Sequence, residues 1–366
     1  MKSAQPDSTD PPVEAREAAG AMAGGGSNPS VNATSDMSRS TCVLVRVGSL
    51  EETADVDASR PTSAAPNPSL FSAFSKEPTL QWRRTAAAAV LLAGAATANF
   101  FALAVVHDIS PRQALPDVVF HFLGQQPWAG LVSDYSAACL AAAATASALL
   151  HGRRVLVLRR LMLIGAVLYT LRAICLSMTS LPTSYQNPNE TCRKQEKPSL
   201  DSVYLNTLWQ RFVSHMLVLG LTASQGATGE KFLCGDEMFS GHTIVITGTY
   251  LTLRRYAPQK VKPVVLWLLT PVCYFSLFCT VLSGTHYSID VLVGYWLTTH
   301  VFHAYHHAFE ATPTENIQSA PLAKLWWLPL ADWFERDAPA GKLANHYSWP
   351  LPFPKFAQRL VDRLNE

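Results

Sequence analysis

An all-α integral membrane protein is the fold class this sequence predicts: a six-transmembrane-helix bundle with both termini cytosolic. Three observations predict it. Long apolar runs dominate residues 85–306 and carry few charges. Six of these runs approach the length of about 20 residues that a bilayer core demands of a helix. Lys and Arg gather in three short stretches that fall on one side of a six-span chain, and such loops face the cytosol. Helices are preferred over barrel strands because the runs are nearly unbroken, whereas barrel strands alternate.

The spans follow in order. The first, Thr85 to Val106, carries no charge. The second is Trp128 to Leu150, with Asp134 near one end, and the third is Leu161 to Met178, with Arg172 inside it. The fourth, Met238 to Leu253, is short unless extended. The fifth is Val264 to Leu282 and the sixth Tyr287 to Tyr305. Val213 to Ala223 is apolar but too short to span. It reads as an interfacial or re-entrant piece, or as the start of a seventh span. The basic stretches are Arg83-Arg84, "HGRRVLVLRR" at 151–160 and "RRYAPQKVK" at 254–262.

Three domains result: a disordered cytosolic N-terminal tail (1–82), a catalytic membrane domain (83–306) and a cytosolic C-terminal tail (307–366). The tail assignment rests on a Ser-, Pro-, Ala- and Gly-rich composition with no apolar period. The first strongly apolar segment starts near residue 85, too late for a cleavable signal peptide. No nucleic-acid or zinc signature is present, and the seven cysteines form no CxxC pair. Cys139, Cys175 and Cys273 sit inside apolar runs and read as buried thiols. Cys192 and Cys234 both fall on the lumenal side, where an oxidising compartment favours a disulfide between them. "NET" at 189–191 is a glycosylation acceptor on that same side.

The chemistry gathers at one membrane depth. "CGDEMFSGHT" (234–243) places His242 at the lumenal start of span four. His286 stands at the lumenal start of span six, 44 residues on, enough for one helix out and one back. Asp290 follows one helical turn later on the same face. Asp290 can accept the Nδ1 proton of His286 and so sharpen Nε2 as a nucleophile. His242 can protonate a leaving alkoxide and later take a proton from an attacking hydroxyl. Gly241 and the open N–H groups at the start of span four can cradle phosphate oxygens. The bland alternative is that each histidine is a helix cap or interfacial anchor. Ionisable groups at a membrane site favour function. No metal and no cofactor is required.

These residues resemble the sphingomyelin synthase family of sphingolipid synthases, relatives of the lipid phosphate phosphatases. "CGDEMFSGHT" resembles the family's third motif and "HYSIDVLVGYW" (286–296) its fourth. "RRLMLIGAVLYTLR" (159–172) is similar to the second and "LPD" (115–117) to the first. "LWWLPLADWFER" and "SWPLPFP" resemble the cytosolic tail of the animal enzymes. Glu237 and Gly294 depart from the motifs, where an aromatic or apolar residue and an alanine are more usual.

The resemblance implies transfer of a phospho-head group from a glycerophospholipid to the primary hydroxyl of ceramide, with His242, His286 and Asp290 as the catalytic residues. With phosphatidylcholine as donor the products are sphingomyelin and diacylglycerol. The expected surroundings are a Golgi membrane, with the plasma membrane as alternative, and a site on the lumenal or extracellular face. Expected substrate contacts are Arg172, Tyr169, Asp236, Ser240, Gly241 and Tyr287. Arg172 answers phosphate charge or pairs with Asp134 or another carboxylate. Asp236 meets a choline cation or holds its loop. Tyr169, Tyr287 and Trp296 form an aromatic surface for the ammonium or plain interfacial anchors. Asp117 contacts the head group or caps a helix, and Arg159 and Arg160 anchor the cytosolic end of span three. Three alternatives stay open: a ceramide phosphoethanolamine or inositol phosphorylceramide synthase, a hydrolase in which water replaces ceramide, and a non-enzymatic transporter or scaffold. The sequence does not give the oligomeric state.

Overall fold

A computed structural model describes residues 78–222, 231, 233–310, 325–336, 338–339, 341–349 and 355–365. The N-terminal tail and much of "SWPLPFP" lie outside the described residues. Helices dominate, and no strand occurs among the described residues. They are α1 (Pro78–Ile109), α2 (Val118–Leu123), α3 (Pro127–Leu150), α4 (Arg154–Met178), α5 (Pro188–Thr191) and α6 (Ser202–Thr222), followed by α7 (Gly241–Tyr256), α8 (Lys262–Leu282), α9 (Ser288–Glu310), α10 (Leu328–Glu335) and α11 (Lys355–Asn365).

Each apolar run read as a span coincides with a helix. Among the described residues, three helical segments are long and apolar enough to cross a membrane: Gln81–Ile109, Arg154–Met178 and Lys262–Leu282. α7 has 16 residues; at 1.5 Å per residue it rises about 24 Å, short of a hydrocarbon core of about 30 Å. Residues 213–222 of that apolar stretch belong to a longer element than foretold, the 21-residue α6. Tyr204, Leu208 and Phe212 of α6 pack on Ala104 of α1, and Arg211 pairs with Asp108 at 2.8 Å.

Helix starts follow local chemistry. Pro127 opens α3 at a position where its missing N–H costs nothing. Ser240 caps α7, its Oγ accepting the Thr243 N–H at 3.2 Å. Asp290 sits three residues into α9 and reaches back to accept the Tyr287 N–H at 3.1 Å, in the manner of a capping box. Asp117 caps α2 by accepting from Val119 N at 2.9 Å. It also accepts from Ser288 N and Oγ, each at 2.9 Å, and so ties down the start of α9.

α1 packs chiefly on α4, and α7 is held among α3, α8 and α9. The main core joins Leu163, Leu168, Phe239, Ile246, Leu277 and Phe302. Gly294 has a packing reason: a Cβ there would meet Thr243 side-chain atoms at 3.1 and 3.2 Å, tighter than ordinary contact. Its bare backbone lets α9 approach the N-terminal turn of α7.

The C-terminal part supplies partners that lie far off in the sequence. Arg160, read as an anchor of the cytosolic end of span three, is held inside the protein. It is fully buried, with Nε and Nη2 on Glu335 at 2.9 and 2.7 Å, and Nη1 3.3 Å from Glu310. Tyr305 donates to the same Glu335 at 2.8 Å. Apolar surroundings would make a lone guanidinium costly, and the bidentate carboxylate offsets that. The pair fastens α10 to the bundle. Of the neighbouring tryptophans, Trp326 is exposed, whereas Trp327 is buried and stacks on Tyr305.

Candidate active site

The segment leading into α7 is pinned from three directions. Cys192 and Cys234 form a disulfide, both buried. His107 Nδ1 accepts the Cys234 N–H at 2.9 Å. Arg172 then reaches across from α4. Its Nε donates to Phe239 O at 2.8 Å, and its Nη groups hold Asn99 and Asp236. Of the two roles weighed for Arg172, the carboxylate pair is present, and the partner is Asp236 rather than Asp134. Asp236 holds its loop through this pair. Gly241 lies against the same guanidinium, which a Cβ there would meet at 3.6 Å. Ser240 is fully buried and spends its hydroxyl on the α7 cap.

His242 and His286 converge, with ring centroids 6.2 Å apart. They differ in exposure. The His242 side chain is 39 % exposed, and its Nε2 lies 2.8 Å from Asp134 Oδ1 on α3. His286 is only 4 % exposed, and burial pushes its pKa down to about 3. The imidazole is therefore neutral at physiological pH, the form in which nitrogen can attack phosphorus. Its Nδ1 has no hydrogen-bond partner, and neither does Asp290 Oδ1, a carboxylate only 1 % exposed. The His286–Asp290 hydrogen bond expected from the sequence is not formed: Asp290 Oδ2 accepts the Tyr287 N–H, and Oδ1 has no partner. The groups remain neighbours: a His286 nitrogen and oxygens of Asp290 and Glu237 lie within 4.8 Å of one another.

Glu237 and Asp134 are the site residues that sequence reasoning missed. Glu237 had been noted only as a departure from a motif. Asp134 was visible as the lone acid of span two, a signal pointing to function, but nothing in the sequence paired it with His242.

The turn presenting His286 also has its reasons. Gly284 has φ 74°, a left-handed conformation that favours glycine. A Cβ there would strike the Gln125 amide at 2.3 Å. Gln125 Nε2 donates to Ser184 O at 2.7 Å, and Ser184 Oγ reaches Gly284 O at 2.8 Å. Tyr287 is a connector, buried with its ring against Phe120; its hydroxyl accepts from Leu115 N and donates to Thr183 O. Tyr169 lies partly buried, just under one turn before Arg172. Among the described residues no ring contact joins Tyr169, Tyr287 and Trp296, and Trp296 is exposed.

Comparison with known proteins agrees with this geometry. The PAP2 superfamily C-terminal model matches residues 233–307, which hold His242, His286 and Asp290. The chain is 40% identical over 282 residues to phosphatidylcholine:ceramide cholinephosphotransferase 2 of Caenorhabditis elegans, covering 77% of this chain and 82% of that one. It is 32% identical to putative phosphatidylcholine:ceramide cholinephosphotransferase 3 of the same species, covering 70% and 72%. Identity to phosphatidylcholine:ceramide cholinephosphotransferase 1 of Rattus norvegicus is 29%, covering 75% and 64%. The chain belongs to the phosphatidylcholine:ceramide cholinephosphotransferase, or sphingomyelin synthase, family.

Proposed function

We propose that this protein transfers phosphocholine from phosphatidylcholine to the primary hydroxyl of ceramide, giving sphingomyelin and diacylglycerol. The observation that carries the reading is the convergence of His242 and His286, each beside a carboxylate, in a chain that covers 82% of a relative 40% identical to it.

The reaction runs in two displacements. His286 Nε2 attacks the phosphorus of phosphatidylcholine, and the bond from phosphorus to the diacylglycerol oxygen breaks. His242 gives that oxygen its proton. Asp134 holds His242 through Nε2, leaving Nδ1 to trade the proton. His242 then takes the proton of the ceramide hydroxyl. The freed oxygen attacks the phosphohistidine, sphingomyelin leaves, and His286 is regenerated. Asp290 accepts from His286 Nδ1 as positive charge develops on the ring. Arg172, fixed by Asn99 and Asp236, faces the phosphate oxygens together with the N–H groups at the start of α7. Two bulky lipids can thus use one site in turn.

α1, α3, α4, α7, α8 and α9 serve as the six spans. Both termini face the cytosol, the reacting groups face the lumen or cell exterior, and the membrane is that of the Golgi or the cell surface. Residues 1–82 and 307–366 flank the catalytic membrane domain as cytosolic tails.

The test uses purified protein with fluorescent ceramide and phosphatidylcholine, phosphatidylethanolamine or phosphatidylinositol in turn. The expected outcome is one ceramide product, from phosphatidylcholine. A product from another donor would reassign the head group. Release of free phospho-head group without any ceramide product would make the protein a hydrolase.

A further inference from the structure

Glu237 is 2 % exposed, and its hydrogen bonds contain a contradiction that only a proton resolves. Oε1 accepts the Ser184 N–H at 3.1 Å. Oε2 lies 3.2 Å from Ser184 Oγ, and that same Oγ lies 2.8 Å from Gly284 O. A serine hydroxyl has one hydrogen, and a backbone carbonyl has none to give. The shorter contact therefore takes the serine proton. Oγ and Oε2 would then face each other as two acceptors, a repulsive arrangement in a buried place. It becomes a bond only if the carboxyl brings the hydrogen.

We infer that Glu237 is a neutral carboxylic acid that donates to Ser184 Oγ and thereby positions His286. The chain of donation runs from Glu237 Oε2 to Ser184 Oγ and on to Gly284 O, two residues before His286. It joins the approach to α7 with the turn that opens α9, and Gln125 fastens its middle from the other side. His286 Nδ1 lies 3.7 Å from Glu237 Oε2. At that distance an ionised Glu237 would compete with Asp290 for the Nδ1 proton and pull the ring out of line. A neutral acid beside a neutral imidazole does not, so the contact is no ion pair. Asp290, with an oxygen within 4.8 Å of a His286 nitrogen, is left to take the Nδ1 proton.

The surroundings agree. His286, Tyr287 and Asp290 face Glu237 from the start of α9, Tyr185 from the 179–187 loop, and Asp236 from its own segment. Burial, and then the Asp290 charge, raise the Glu237 carboxyl well above the ordinary range. Glu237 is a positioning residue, and its role rests on His286 being the reacting group of the proposed transfer.

The test combines infrared spectroscopy with kinetics on the full chain. Wild type minus Glu237→Gln at neutral pH is expected to show the carbonyl stretch of one protonated carboxylic acid. Gln keeps both a donor and an acceptor, so kcat for ceramide transfer stays within about threefold. Glu237→Leu removes the donor and is expected to lower kcat about tenfold or more with KM little changed. An absent band, together with a Gln variant as damaged as the Leu variant, would overturn the inference by making Glu237 an ionised group acting through charge. If the Leu variant does not fold, the band and the Gln variant still decide. If wild type makes no ceramide product, the transfer reading fails, and the band alone still decides the protonation state.

Discussion

Replacing Asp134 by Asn removes one charge and leaves shape and position nearly unchanged. In the native site Asp134 Oδ1 lies 2.8 Å from His242 Nε2, and the two side chains are 28 % and 39 % exposed. Water therefore screens the pair in part, and a value near the lower end suits it. A hydrogen bond to a charged group contributes about 1.5–3 kcal/mol. At about 1.4 kcal/mol per decade the lower end gives a fall of about tenfold, and the upper end about 150-fold. The loss is expected in kcat and not KM, because Asp134 holds His242 while protons move to and from its Nδ1. The assay is sphingomyelin formation in phosphatidylcholine vesicles across a ceramide series, with thermal unfolding measured alongside. A folded Asp134→Asn protein with unchanged kcat would refute the claim that Asp134 orients His242.

Four further outcomes follow from the same geometry. Cys192→Ser opens a covalent loop with a sequence separation of 42 residues, which the chain-entropy relation values at about 4 kcal/mol; thermal or denaturant unfolding under non-reducing conditions reads it. Glu335→Ala leaves Arg160 buried without its bidentate partner and is expected to cost about 3–5 kcal/mol of stability, with the KM for ceramide unchanged in whatever protein remains folded. Burial pushes the Asp117 carboxyl up, but hydrogen bonds from Ser288 and the α2 backbone outweigh it and hold the group below its ordinary 3.8. Its stabilisation is then full above 3.8 and is lost as pH falls through the lowered value; Asp117→Asn should lack that acid-dependent part when melting is followed down the acid range. Asn189 is exposed, so expression in eukaryotic cells should add a glycan there that endoglycosidase removes, and an unmodified Asn189 would argue against a lumenal 179–237 segment.

How much of this was legible in the sequence differs element by element. Helices at the six apolar runs were legible because burial in lipid or in a helical core demands the same unbroken apolar pattern. The nearness of His242 and His286 followed from one helix out and one back. The Cys192–Cys234 bridge was legible from compartment logic. The partners of charged groups were not. Arg172 had several carboxylates within reach by topology, and only the bend of the 233–240 segment chooses Asp236. Asp290 looked like a partner for His286, yet the α9 N-terminus competes for the same carboxylate and takes one of its oxygens. Arg160 looked like a topology anchor because local sequence cannot foresee Glu335, 175 residues away. Glu237 read as a motif departure because its meaning lies in Ser184 and Gly284, both distant in the chain.

The central claim is that His286 carries the head group from one lipid to the other. The most direct measurement incubates wild type and His286→Ala, each shown to be folded, in phosphatidylcholine vesicles with labelled ceramide and scores sphingomyelin and diacylglycerol together. The account predicts equal amounts of the two products from wild type and neither from the variant. Sphingomyelin made by the folded variant at the wild-type rate would contradict it.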